Sequence, residues 1–64
     1  MRETELWARL RAALGNAYAA VWADSVVHAD LGGRTVVEAL AAGLPVKRIW
    51  LVAGASLDIP EHLR

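Results

Sequence analysis

Apolar residues near the start of the chain recur at intervals of three and four, the spacing that places them on one face of an α-helix. The pattern predicts a first helix over about 5–14, with Thr4 as its N-cap and Gly15 just past its end. Glu5 and Arg9 stand one turn apart on the outer side, where they can pair, which contributes little to stability. The predicted inner face comprises Leu6, Trp7, Leu10, Ala13 and Leu14.

A second helix is predicted over about 16–29, with Asn16 as its N-cap. Helical spacing favours an inner face made of Tyr18, Val21, Trp22, Ser25, Val26 and Ala29. On this reading His28 lies near the end of the helix, where the helix dipole favours a solvated imidazole.

The segment between 31 and 43 contains a helix stop, a helix start and a second stop. Gly32 and Gly33 can adopt the left-handed backbone that ends a helix. Thr35 and Glu38 have the spacing of a capping box, in which each side chain accepts from the other residue's backbone N–H. We therefore predict a short third helix over 36–42.

A fourth helix is predicted over about 46–57, following Gly43 and starting after Pro45, whose fixed φ suits a helix start. It ends before Pro60, because a residue that precedes proline avoids the α region. The remaining tail is expected to fold back through Ile59 and Leu63, or to fray.

These elements predict an all-α fold, a compact bundle of three to four short helices forming a single domain over 1–64. The chain has no cysteine, so no disulfide supports this small fold. Its core must come from a few large side chains, namely Leu6, Trp7, Leu10, Leu14, Tyr18, Trp22, Val26, Leu40, Ile49, Trp50 and Leu57.

The charge balance limits the classes of partner. Seven basic and seven acidic residues give a net charge of zero, which argues against a general nucleic-acid binder. The longest uncharged apolar run, 49–57, is nine residues, too short to span a bilayer, and 1–5 show no secretory pattern. We expect a cytoplasmic protein with no membrane association.

Several short motifs together resemble a small actinobacterial protein family of unknown function, rich in tryptophan and all-helical. The resemblance implies a single helical domain, and it implies no activity. It spans almost the whole chain and rests on Thr4-Glu5, Trp7, Ala17-Tyr18, Trp22, Leu31-Gly32-Gly33-Arg34-Thr35-Val36, Ala39-Leu40-Ala41-Ala42-Gly43, Lys47-Arg48, Trp50, Asp58-Ile59-Pro60 and Leu63-Arg64.

A surface that binds another protein, or a second copy of this chain, is the favoured function. Several apolar side chains fall off the best core faces, and basic groups stand beside them, a composition that suits an interaction site. The expected surface comprises Val27, Leu44, Lys47, Arg48 and Leu51, with Val46 beside them.

Two binding alternatives remain open. The spacing of Ala39, Gly43 and Ile49 fits a degenerate DNA-binding helix-turn-helix formed by 36–42 and 46–57. That motif would turn Pro45, Val46, Lys47, Trp50 and Leu51 toward the groove, which are poor readers of base edges. Separately, Arg34 and Thr35 are candidates for contact with an anion such as phosphate.

Catalysis is not expected. Neither serine has a recognisable nucleophile context, and only His28 and His62 could act as general bases near neutral pH. Asp24 and His28 could supply two metal ligands, but nothing obvious completes the set. We therefore predict no catalytic residue, no metal and no cofactor.

Overall fold

The computed structural model describes the backbone of residues 1–64 and every side chain except that of Glu61. The helices are α1 (Glu3–Leu14), α2 (Asn16–Ser25), α3 (Val36–Ala41) and α4 (Val46–Ser56), with short 3-10 turns at Ala29–Leu31 and Glu61–Leu63. The described part of the chain contains no strand, and the predicted all-α fold is confirmed. None of the described helices has the length and apolar character needed to cross a membrane.

The α1 helix begins at Glu3, two residues before its predicted start. Arg2 occupies the N-cap position without a side-chain hydrogen bond, so the predicted cap by Thr4 is wrong. Glu3 and Glu5 both lie in the first turn, where the positive end of the helix dipole favours carboxylates. The predicted end at Leu14 is confirmed.

The α2 helix is shorter than its periodicity predicts. It ends at Ser25 instead of about residue 29, and Gly15 rather than Asn16 holds its N-cap position. Val26 is extended, at φ −88° and ψ 119°. The segment after Val26 does not continue the helix, because its backbone pairs with Arg34 instead. The N–H of His28 donates to the carbonyl of Arg34 at 3.0 Å. This long-range contact leaves no sign in the local pattern.

The capping box that starts α3 is present as predicted. The hydroxyl of Thr35 accepts from the backbone N–H of Glu38 at 3.1 Å, and the Glu38 carboxylate accepts from the Thr35 N–H at 2.9 Å. The helix ends at Ala41, one residue before its predicted end. Gly43 then turns the chain toward α4 with φ 82°.

The α4 helix starts after Pro45 as predicted and ends at Ser56, one residue early. Beyond it, Asp58 takes a left-handed backbone at φ 56°. The Ile59 N–H donates to the carbonyl of Gly54 at 2.9 Å, and the Nε of Arg64 donates to the carbonyl of Ile59 at 2.6 Å. The tail therefore folds back onto α4 through Ile59, which confirms one of the two predicted alternatives for that residue, whereas Leu63 is 60% exposed.

The core sits between all four helices and differs from the predicted core on α2. That helix turns Ala19, Trp22 and Ala23 inward and leaves Tyr18 56% exposed, so the placement of Tyr18 in the core is wrong. Because the side chains of Ala19 and Ala23 are short, α2 can pack closely against its neighbours. The fold uses this close packing in place of burial of the larger Tyr18 side chain. The buried apolar residues are Leu6, Leu10, Ala19, Trp22, Ala23, Leu31, Val36, Ala39, Ile49, Trp50 and Ala53.

Other predicted core residues lie at the margin of this cluster. Ala13 is exposed, so its assignment to the inner face of α1 is wrong. Leu31 was not among the predicted core residues and is buried within the 3-10 turn. Five predicted residues are half-buried and pack against the core, namely Trp7, Leu14, Val26, Leu40 and Leu57.

Candidate functional site

The surface predicted to bind a partner is smaller than the sequence suggested. Val27 is 59% exposed and Leu51 43% exposed, and Lys47 and Arg48 are also exposed. Leu44 is half-buried and packs against the core, so its place on this surface is wrong. Val46, expected beside these residues, is likewise half-buried against the core.

Two arginines meet at the 3-10 turn that follows α2. Arg34 Nη1 donates to the carbonyl of Leu31 at 3.1 Å. Arg48 Nη2, from α4, donates to the carbonyl of Asp30 at 3.2 Å. The two guanidinium groups therefore bind the carbonyls of successive residues in one turn.

The same turn is built around His28, which is buried and not solvated as the sequence suggested. Its carbonyl accepts from the N–H groups of Leu31 and Gly33, at 3.1 and 3.0 Å. Its ring lies 5.3 Å from the ring of Trp22, and its Nε2 is buried without a hydrogen-bond partner among the described atoms. Burial lowers the pKa of His28 below the ordinary 6.5, against a smaller opposing effect from the charge of Asp30.

Of the two residues predicted to contact an anion, Arg34 is exposed and Thr35 is not. Thr35 is buried, and both its hydroxyl and its backbone N–H are used within the capping box. Neither the hydroxyl nor the N–H of Thr35 is available to an anion, because both are hydrogen-bonded to Glu38. Arg34 is exposed but donates to Leu31.

The face of α4 that was predicted to read DNA differs from the face that the structure exposes. Trp50 is only 2% exposed, so its expected position toward a DNA groove is wrong. The exposed residues at the start of α4 are Pro45, Lys47, Arg48 and Leu51.

A surface groove that the sequence did not predict lies between α1, α4 and the C-terminal segment. It has a volume of about 540 Å³. The groove is shallow and open to solvent, and of the described residues that line it Arg9 is charged and the others are apolar. The lining comprises Arg9, Ala12, Ala13, Trp50, Ile59, Pro60 and Leu63.

Arg9 and Trp50 form the central contact of this groove. The guanidinium carbon of Arg9 lies 5.6 Å from the centre of the Trp50 ring, within the range of a cation–π interaction. Arg9 therefore faces α4. The Nε1 of Trp50 is buried with no acceptor among the described atoms.

Periodicity alone could not reveal this groove. Ala12 and Ala13 follow Arg9 on α1, and their small side chains leave space beside it. The opposite wall depends on the return of the tail, where Ile59 is half-buried and Leu63 is 60% exposed. The sequence predicts a tail that folds back through Ile59 and Leu63, but it does not indicate that this return faces Ala12 and Ala13 on α1.

Polar side chains do not form a recognisable metal site. Among the described residues, no group of three or more His, Asp and Glu side chains is placed to hold a metal ion. His28 is buried and Asp24 is exposed on α2.

The fold and its groove define a small all-α protein with four helices. Comparison with protein families gives a match over residues 1–62 to the family described as "Protein of unknown function (DUF3046)", and the chain belongs to this family. This match confirms the predicted resemblance to a family of small helical proteins of unknown function. No curated protein and no solved structure matches the chain.

Proposed function

We propose that this protein is a non-catalytic interaction module of the cytoplasm, which binds a partner protein in the groove between α1, α4 and the C-terminal segment. The observation that carries the proposal is the open, shallow groove, whose described lining residues are apolar apart from Arg9. Arginine is among the residues that most often dominate protein interfaces, and apolar surface rimmed by a charged group suits an interaction site.

The walls of the groove have structural support on both sides. Ala12 and Ala13 lie on α1, a helix of 12 residues anchored by the buried Leu6 and Leu10. The opposite wall is tied to α4 by the hydrogen bond from the Ile59 N–H to the Gly54 carbonyl, and within the tail Arg64 Nε donates to the Ile59 carbonyl. A preformed groove binds without a large ordering cost, which favours recognition of a short segment.

The non-catalytic part of the proposal is supported by the use of polar groups within the fold. The hydroxyl of Thr35 is committed to the cap of α3, and the His28 ring is buried against Trp22. Both groups stabilise the turn that connects α2 with α3.

The test is capture from the cytoplasm of the native host with two matched variants. Ala12→Glu fills the groove and sets a carboxylate beside Arg9, whereas Ala20→Glu places the same side chain on an exposed position of α2 outside the groove. We expect a defined protein to be captured by the wild type and by Ala20→Glu, to resist nuclease, and to be lost with Ala12→Glu. Equal capture by both variants would contradict the proposal.

A third variant separates the groove from the surface expected on the outer face of α4. Leu51 is exposed there but does not line the groove. We expect Leu51→Glu to leave capture unchanged. Loss with Leu51→Glu and retention with Ala12→Glu would move the interface to Val27, Lys47, Arg48 and Leu51.

DNA binding is the second candidate function, favoured by the meeting of Arg34 and Arg48 at one turn close to the start of α4. With Lys47 these groups supply three cations. Three phosphate contacts would make the logarithm of the affinity fall with the logarithm of salt concentration with a slope of about −2.7. Duplex DNA titrated at several salt concentrations tests this candidate, and affinity unaffected by Lys47→Gln and Arg48→Gln would exclude it.

A further inference from the structure

We infer that segment 57–64 is a hinged strap, held on α4 by the side chain of Arg64 against Gly54, and that it opens without unfolding of the helices. The inference goes beyond the proposed function, because it concerns a motion of this chain and requires no partner. It follows from the contact at Gly54, from the backbone of Asp58 and from the shallow burial of the strap.

The contact between the strap and α4 depends on the absence of a side chain at Gly54. Gly54 is buried near the end of α4, and a Cβ placed on it would lie 3.0 Å from Cγ and 3.2 Å from Cδ of Arg64. Carbon atoms in favourable contact are about 3.5–4.0 Å apart, so the stem of Arg64 occupies the space that an alanine side chain would need. Alanine is otherwise the better residue inside a helix. Gly54 therefore provides the notch into which Arg64 packs.

Two hydrogen bonds that meet at Ile59 complete the attachment. The Ile59 N–H donates to the carbonyl of Gly54 at 2.9 Å, and the Ile59 carbonyl accepts from the Nε of Arg64 at 2.6 Å. Arg64 thus contacts Gly54 through its stem and Ile59 through its guanidinium. Loss of the contact at Gly54 should therefore weaken the hold of Ile59 on α4.

The backbone of Asp58 supplies the hinge at the start of the strap. Its φ of 56° is a left-handed conformation, which is strained in a residue other than glycine. None of the described side chains of segment 57–64 is fully buried, and Leu63 is 60% exposed. A segment with little buried area and a strained backbone opens at a lower free energy than the whole fold.

Opening of the strap would remove one wall of the groove. Ile59, Pro60 and Leu63 line the groove from the strap, and Trp50 lines it from α4. Trp50 is 2% exposed when the strap is closed, and it would lose part of its cover when these residues move away. The strap therefore controls whether the groove is present as a surface.

Native-state hydrogen exchange of the full chain, followed by NMR, measures this opening directly. In the wild type we expect the Ile59 amide to be about tenfold or more less protected than the amide of Leu10, a buried residue of α1. Gly54→Ala should accelerate exchange at Ile59 by about tenfold without accelerating it at Leu10, because the added methyl group crowds the stem of Arg64. Helix propensity alone predicts the opposite sign, since alanine favours α4.

Variants of Arg64 identify the partner of Gly54. Arg64→Ala should also accelerate exchange at Ile59, and adding Gly54→Ala to it should cause no further acceleration, because the crowded side chain is gone. Arg11→Ala is the control, since it removes an exposed arginine from α1 and should leave exchange at Ile59 unchanged.

The contrary outcomes overturn the inference at separate steps. Equal protection of Ile59 and Leu10 would show that the segment opens only with the whole fold. Slower exchange at Ile59 in Gly54→Ala would show that helix propensity decides the effect and that Arg64 does not hold the strap. Acceleration by Gly54→Ala that persists when Arg64 is alanine would assign the effect to another neighbour. Each result is obtained without a partner, so the proposed function is judged separately by the capture experiment.

Discussion

The guanidinium of Arg9 lies over the ring of Trp50, 5.6 Å from its centre, and joins the middle of α1 to the middle of α4. Trp50 is almost fully buried, and the Arg9 guanidinium lies against its ring at the boundary of the core. Both residues also line the groove.

Arg9→Ala should lower the free energy of unfolding by about 0.5–1 kcal/mol, the range for an exposed cation–π contact. Urea denaturation followed by tryptophan fluorescence measures this change. Arg11→Ala is the control, since Arg11 is exposed on the same helix and makes no recorded contact with an aromatic ring. An equal loss in both variants would show that removal of a long cationic side chain from α1, and not the contact with Trp50, is responsible.

The capping box predicts a loss that depends on the hydroxyl of Thr35. Thr35→Ala should reduce the free energy of unfolding by about 1 kcal/mol, because the Glu38 N–H at the start of α3 loses its acceptor. Thr35→Ser keeps the hydroxyl and should recover most of the loss. Thermal unfolding followed by circular dichroism distinguishes these results, and a serine variant as unstable as the alanine variant would assign the effect to the lost methyl group.

Gly32 and Gly33 form a natural matched pair, since both have left-handed backbones at φ 74° and 75°. An alanine at either position costs about 1–2 kcal/mol of backbone strain. At Gly32 the added Cβ would also lie 2.5 Å from Arg34 Nη1, whereas Gly33 has open space. Gly32→Ala should therefore be the more destabilising variant in urea titrations, because it also displaces Arg34 from the Leu31 carbonyl. Equal losses would mean that this hydrogen bond contributes nothing measurable.

The stability of the fold should depend on pH through His28. Burial lowers the pKa of His28 in the folded state, whereas the unfolded chain takes up a proton near the ordinary 6.5. The stabilisation is therefore fully present above pH 6.5 and is lost as the pH falls from 6.5 toward the lower pKa of the folded state. Urea midpoints measured between pH 8 and 5 should fall on the acid side in the wild type and in His62→Gln, and should fall less in His28→Gln. A wild-type midpoint that stays constant across this interval would contradict the burial of a neutral imidazole.

The sequence predicted most accurately the features that depend on neighbouring residues. The capping box of Thr35 and Glu38, the proline before α4 and the end of α1 all follow from short-range chemistry. The end of α2 could not be predicted in this way, because the backbone of His28 pairs with Arg34 across a turn. The inward face of α2 was missed because close packing favoured alanines over Tyr18.

The groove could not be predicted from the local sequence pattern, for a related reason. It requires Arg9 of α1, Trp50 of α4 and the returning tail at Ile59 to meet, and each belongs to a different part of the chain. Of the residues predicted to form the interaction surface, Leu51 and Lys47 are exposed on α4 and Leu44 packs against the core, and the surface itself stays a prediction.

Site-specific photocrosslinking in the native host tests the central claim most directly. A benzoylphenylalanine side chain at position 12 projects from the wall of the groove, and the same side chain at position 20 lies on α2 outside it. We predict a discrete covalent adduct with one partner protein from position 12, weakened by Arg9→Gln, and no such adduct from position 20. The same adducts from both positions, or none from position 12 while the protein remains folded, would contradict the assignment of the groove as the binding site.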